Sequence, residues 1–251
     1  MDASLYEAHE RLEDTHWWFE GRRRVIRQVL RQALEASPTR RVLDVGCGTG
    51  GMFGLLSDFG AVEGVEASAD ARSRAARRFP QVRVFDGALP DGLPEGAWEL
   101  VTLFDVLEHV DDAPASLRAL GRRLSPGGQL VVTVPAFQFL WSRHDEVNQH
   151  KKRYTRGELI AELEGAGLRV RWASYFNTLL FPAVVAARLA QRLLPQGAAK
   201  EGADLEATWE PLNRALTVVF GAETALVRNV RLPVGVSIIA VADAAGAGLP
   251  E

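Results

Sequence analysis

The chain has one cysteine, Cys47, in 251 residues. No intrachain disulfide can form, and a reducing setting fits that usage. Long apolar runs are missing too. The richest stretch, LLFPAVVAARLAQRLLP at 179–195, is broken by Pro182, Arg188 and Arg192. A spanning helix needs about 18 or more apolar residues in a row, so none is expected. Positive charge is not in excess: 29 Lys and Arg against 32 Asp and Glu leave a net charge of −3. A nucleic-acid partner is therefore not expected. The opening MDASLYEAHE lacks the basic and apolar segments of a secretory signal, so a cytoplasmic location is expected. There is no internal repeat and no charged tail.

What is present is an ordinary globular balance, 47% hydrophobic and 24% charged. That suits one α/β domain with additions. Residues 5–35 read as helix, with Leu5, Leu12, Val25, Ile26, Val29, Leu30 and Leu34 as candidate buried positions and Gly21 as a bend. Ser37-Pro38 ends that segment. Short apolar runs then alternate with helical ones. Strands are expected at 41–45, 61–65, 82–85, 100–104, 129–134, 168–175 and 234–242. Helices are expected at about 50–59, 68–79, 112–123 and 155–165. The alternation predicts a mostly parallel, seven-stranded, Rossmann-like sheet with helices on both faces. About 55 residues separate the last two strands, far more than a connection needs. They carry two helical runs, 179–194 and 211–229, and a polar, Gly-rich loop at 196–206. The expected division is a helical lid over 1–36 and a main domain over 37–251. Within the main domain lie a substrate loop at 136–156 and a helical insertion at 178–231. The C-terminal AAGAGLPE is expected to fray.

Chemistry concentrates in RVLDVGCGTG, 41–50. A strand runs into Gly46-x-Gly48-x-Gly50 and a helix follows. Such glycines let the chain turn sharply and let a ligand approach the bare backbone. Glu66 stands twenty residues after Gly46, at the end of the second strand, where a carboxylate can accept both ribose hydroxyls. A dinucleotide site uses G-x-G-x-x-G to set a helix N-terminus against a pyrophosphate. Here the turn reads GCGTGG, and Asp44 precedes its first glycine by two. An acid there suits an ammonium-bearing ligand, which favours S-adenosylmethionine (SAM) over NAD. Cys47 reads as a small residue filling the turn.

LDVGCGTG, GVEAS (64–68), FDG (85–87), LFDVLEHV (103–110) and LSPGGQLVVTVP (124–135) together resemble the ordered motifs of class I SAM-dependent methyltransferases. The resemblance covers roughly 41–176. It implies that Asp44, Gly46, Gly48 and Gly50 line the methionine and ribose region and that Glu66 holds the ribose hydroxyls. By the same resemblance Asp86 meets the adenine amino group beside Gly87 and Ala88, and Phe104 and Asp105 lie near the transferring methyl. The flanks HWWFEGRRR and WSRHDEVNQHKKRYTR resemble a bacterial subgroup with an N-terminal HWWF-x-x-RR motif. Its members often serve envelope, glycolipid, polyprenyl or secondary-metabolite pathways.

Further site residues come from the flanks. Trp17 and Trp18 could close over the cofactor and exclude water, and Arg22–Arg24, Arg23 among them, could reach the methionine carboxylate. The alternative is a packed N-terminal helix with solvated arginines. In the 137–156 stretch, His144 and His150 are candidate general bases, with Asp145 to orient one of them. His109 is a candidate base or a support beneath the cofactor. Trp141, Arg153 and Tyr154 are candidate substrate contacts, and Lys151, Lys152 and Arg153 could hold an anion. The resemblance to some quinone-pathway relatives would let Glu108 bind a metal, but no clear His/Asp/Glu spacing marks a dedicated site, so no metal ligand is assigned. The expected activity is methyl transfer to an O, N or C nucleophile of a small-molecule or lipid-like acceptor. The rivals are a non-catalytic partner on the same fold and an NAD-type enzyme. Three uses remain open for the 179–194 run: a substrate cap, a peripheral membrane contact or a homodimer interface.

Overall fold

The computed structural model describes residues 10–34, 37, 39–193 and 208–244. Leu5, the 196–206 loop and residues 245–251 lie outside them. The first long helix, α1, spans Trp17–Ala33. Strand β1 (Arg41–Val45) leads through the glycine turn to a short α2 (Phe53–Leu56). Then come β2 (Ala61–Glu66), α3 (Ala69–Arg78), β3 (Arg83–Asp86) and β4 (Trp98–Phe104). A 3₁₀ turn at Leu107–His109 precedes α4 (Ala113–Gly121) and β5 (Leu124–Pro135). Beyond β5 lie α5 (Arg143–Val147), α6 (Arg156–Gly165), β6 (Leu168–Phe176), α7 (Phe181–Leu193), α8 (Glu210–Val227) and β7 (Ser237–Ala244).

The seven strands order as β3-β2-β1-β4-β5-β7-β6. All neighbours are parallel except β7, which runs antiparallel to both β5 and β6. Consecutive strand residues point to opposite faces, and the core divides accordingly. Leu43, Val101, Val132 and Ala240 join Leu117 and Leu120 of α4 and Leu159 and Leu163 of α6 on one face. Val42, Leu100, Val131 and Ile239 join Val25, Ile26, Val29 and Leu30 of α1 and Phe220 and Val227 of α8 on the other. β5 is longer than the 129–134 expected, because it runs unbroken through Pro126 and Gly127.

Two expectations are corrected by packing. Gly21 is no bend; it lies inside α1, where a Cβ would sit 2.2 Å from Phe220 Cδ1. Its missing side chain is what lets α1 and α8 meet closely. The helical insertion also does not act as one cap. α8 belongs to the core face, its Phe220 stacked on Phe176 of β6 at 6.2 Å, whereas α7 borders the cavity described below. Glu223 of α8 joins the two parts. It is fully buried and accepts the Leu179 N–H just ahead of α7, an anion placed where a helix start favours one. Burial raises its pKa while those backbone donors oppose the rise.

Candidate active site

The carboxyl ends of β1, β2, β4 and β5 open into a cavity of about 970 Å³, the end at which open α/β sheets bind ligands. Pockets of roughly 300–1,000 Å³ house small ligands, and this one lies at the top of that range.

The glycine turn forms its floor. Gly46 and Gly48 have φ of +71° and +56°, the left-handed region that costs other residues about 1–2 kcal/mol. A Cβ on Gly48 would meet no protein atom within 4 Å, and this residue lines the cavity. Glu66 is buried beside the turn. It accepts the Gly48 N–H at 3.0 Å and the Ser68 N–H at 2.8 Å, which fixes the carboxylate at the cavity wall. Asp44 is 2% exposed, and the Thr102 hydroxyl donates to it at 2.6 Å. Burial pushes its carboxyl up to about 7, against the pull of Thr102 and Arg22. Burial likewise raises the Cys47 thiol, so the turn's cysteine is inert packing.

Other expected cofactor residues fall into two groups. Gly87, Phe104 and Asp105 line the cavity, with Ala88 beside Gly87. Asp86 and Gly50 are not among the lining residues; the Asp86 side chain is 74% exposed and pairs with Arg72 at 2.8 Å.

The N-terminal segment closes one side. His16, Trp17, Trp18, Phe19, Arg22 and Arg23 all line the cavity. Trp17 and Trp18 also pack against the α1–α8 core. The arginines divide three ways. Arg22 points inward. It pairs with Asp105 and stacks 5.3 Å from the Trp18 ring and 5.5 Å from Phe104. Arg23 donates to the Glu13 and Asp14 carbonyls, and Arg24 pairs with Glu20. Glu13 is a residue the sequence did not reveal. It is 6% exposed, accepts the Thr49 hydroxyl at 3.0 Å and pairs with Arg78, tying the segment across the glycine turn. Helical phase could have separated Arg22 from its neighbours, since it shares a face with Val25, Ile26 and Val29. Nothing local marks Glu13, whose partners lie over 30 residues away.

His109, His144 and His150 all line the cavity. Ring centroids of His109 and His150 are 4.7 Å apart, and those of His144 and His150 are 6.0 Å apart. Asp145 is fully buried and outside the lining; it accepts from His150 Nδ1 at 2.9 Å. Burial alone would raise it, yet the hydrogen bonds from His150 and Arg153 hold it well below the usual carboxylate range. Burial, then the neighbouring His150, lowers His109 to about 4. Glu108, beside it, is fully buried and pushed well up by burial and by the charge of Asp105.

The three expected substrate contacts are placed differently. Tyr154 is 1% exposed, belongs to the core, and donates to Glu162 at 3.4 Å. Arg153 borders the cavity but its guanidinium is spent on Asp145, at 2.7 and 3.0 Å. Trp141 is not among the lining residues. The basic run offers no idle cation either, since Lys151 pairs with Asp111 and Lys152 with Glu162.

The strand order, the glycine turn and the carboxylates at the strand ends define a Rossmann-like nucleoside-binding protein of the class I methyltransferase type. A methyltransferase domain is matched over residues 17–172, more than half the chain, and the chain belongs to that family. A probable S-adenosylmethionine-dependent methyltransferase from Mycolicibacterium smegmatis is 30% identical over 163 residues, 63% of this chain and 62% of that protein. A trans-aconitate 2-methyltransferase from Deinococcus radiodurans is 29% identical over 61% of this chain and 57% of its own length. An S-adenosylmethionine-dependent methyltransferase from Clostridium acetobutylicum has the same fold, with a TM-score of 0.59 at 11% identity, covering 89% of this chain and 92% of that one. The chain spans about half the length of the curated relatives it matches.

Proposed function

We propose that the chain binds SAM on the glycine turn and transfers its methyl to an O, N or C nucleophile of a small-molecule or lipid-like acceptor. The observation that carries this reading is one cavity of about 970 Å³ lined both by Asp44, Gly48 and Glu66 and by three histidines. Asp44 would hold the SAM ammonium, Glu66 the ribose hydroxyls and the Gly87–Ala88 backbone the adenine, with Phe104 and Asp105 beside the reacting group. Bound SAM would supply an electrophilic methyl to the acceptor's lone pair, with S-adenosylhomocysteine as the leaving group. Holding the partners in line can supply about 7–11 kcal/mol. A hydroxyl acceptor loses its proton to His150, oriented by Asp145, or to His144.

Trp17, Trp18 and the Glu13 latch make the N-terminal segment a lid over the cofactor. The HWWF-x-x-RR stretch supports a place in the bacterial subgroup it resembles. α7 supplies the acceptor end through Val184, Ala187, Arg188 and Gln191, which favours an acceptor with both an apolar body and a polar group. A membrane contact is the second reading of α7. Leu179 and Leu189 are 45% and 53% exposed on or next to it, and Val218 of α8 is 67% exposed. Among the described residues no helix is long and apolar enough to cross a membrane.

The test is calorimetric titration with SAM of the wild type, Glu66→Ala and Trp17→Ala/Trp18→Ala. Micromolar binding, lost in the first variant and weakened in the second, supports cofactor site and lid. No binding to the wild type refutes both. Binding without transfer of labelled methyl to any polar-acid or isoprenoid-lipid acceptor fraction would favour the non-catalytic rival.

A further inference from the structure

Glu108 sits on the 3₁₀ turn after β4, with no exposed surface. Neither of its carboxylate oxygens has a hydrogen-bond partner on another residue among the described residues. Buried carboxylates are normally paired or bonded to a metal. This one faces two imidazoles. Ligand atoms of Glu108, His109 and His150 all lie within 4.8 Å of one another, and all three residues line the cavity.

The two segments that carry them are joined: the Lys151 N–H donates to the Glu108 carbonyl at 2.8 Å. The His150 imidazole is also held from behind: Asp145 accepts from its Nδ1 at 2.9 Å, and Arg153 pins Asp145 with two hydrogen bonds. A carboxylate or carbonyl behind an imidazole fixes the ring and its tautomer, leaving the other nitrogen free to ligate. This is the arrangement found behind metal-binding histidines, and it explains why Asp145 is buried rather than open to substrate.

We propose that Glu108, His109 and His150 bind one divalent metal ion at the acceptor end of the cavity. Two nitrogens and a carboxylate suit zinc, cobalt, iron or manganese, whereas magnesium and calcium prefer oxygen ligands throughout. A tetrahedral ion with bonds of ~2.1 Å holds its donors about 3.4 Å apart, so modest side-chain rotation closes the site. Positions left open face the cavity. If the methyltransferase reading holds, they would take an acceptor oxygen and favour its ionised form. His150 would then be a ligand, and His144 would remain as the base.

The experiment uses the full chain, stripped with a chelator and free of SAM. Cobalt is titrated while its visible absorption is recorded, and zinc, manganese and magnesium follow by calorimetry. One cobalt per chain is expected, displaced by zinc, with at least tenfold weaker binding of magnesium. Glu108→Gln and His150→Ala should each weaken cobalt binding at least a hundredfold while keeping the wild-type circular dichroism. Absence of cobalt, zinc and manganese binding in the wild type would overturn the proposal. So would wild-type binding in both variants, which would leave Glu108 as a buried acid sharing its proton with the imidazoles. With SAM absent, either failure leaves the cofactor reading untouched.

Discussion

Asp44→Asn separates the cost of burying a carboxylate from its use. Asp44 is 2% exposed and its carboxyl is raised from 3.8 to about 7, chiefly by burial. The folded chain therefore holds a proton that the unfolded chain releases between pH 4 and 7. That contribution to stability is fully present below about pH 4 and is lost as pH rises through 7. The gap corresponds to ~4 kcal/mol. Asparagine keeps the acceptor for the Thr102 hydroxyl and has no charge to bury. At pH 8 the variant should be more stable than wild type by up to ~4 kcal/mol, and near pH 4 the two should converge.

SAM binding should move the other way. A charge-assisted hydrogen bond to the SAM ammonium is worth about 1.5–3 kcal/mol, so affinity at pH 8 should fall about 10–100-fold in the variant. Roughly one Asp44 in ten is ionised at pH 6 and nine in ten at pH 8. The SAM α-amino group itself loses its proton near pH 8, so wild-type affinity should rise about fourfold over that interval while the variant shows no such rise. Urea unfolding and calorimetry at both pH values read the two effects. A variant that is less stable at pH 8, or that binds SAM as wild type does, would refute the reasoning.

Two further substitutions test the packing. Gly21→Ala places a methyl 2.2 Å from Phe220 Cδ1 and should cost about 1–3 kcal/mol by denaturant unfolding; Phe220→Leu in the same chain should recover part of the loss. Asp145→Asn strips the charge from a fully buried carboxylate bonded to Arg153 and His150. It should cost about 3–5 kcal/mol, since Arg153 is left buried without its counter-charge; a loss under 1 kcal/mol would mean that water reaches the guanidinium.

The sequence shows best what the backbone encodes locally. RVLDVGCGTG reads as strand, left-handed turn and helix start because glycine has a conformational meaning by itself, and the structure places Gly46 and Gly48 at φ of +71° and +56°. The alternating apolar runs gave the sheet for the same reason. Side chains whose roles depend on a distant partner were read less well. KKRY looked like a free anion site because its acids, Asp111, Glu162 and Asp145, are 8 to 40 residues away. Asp145 carried a local clue, being the fourth residue of a Ser142-x-x-Asp145 capping box, which argues for a built-in helix start over an exposed acid. Gly21 misled in the opposite sense, since a glycine opposite an aromatic of α8 reads from sequence as a break. The same division runs through the cavity. Its cofactor end is made of turn backbone and strand-end carboxylates at fixed spacing. The rest of its lining comes largely from α1, α7, the 3₁₀ turn after β4 and the loop after α5, brought together only by folding. A motif can therefore announce the cofactor, while the acceptor is set by contacts between segments that no linear pattern connects.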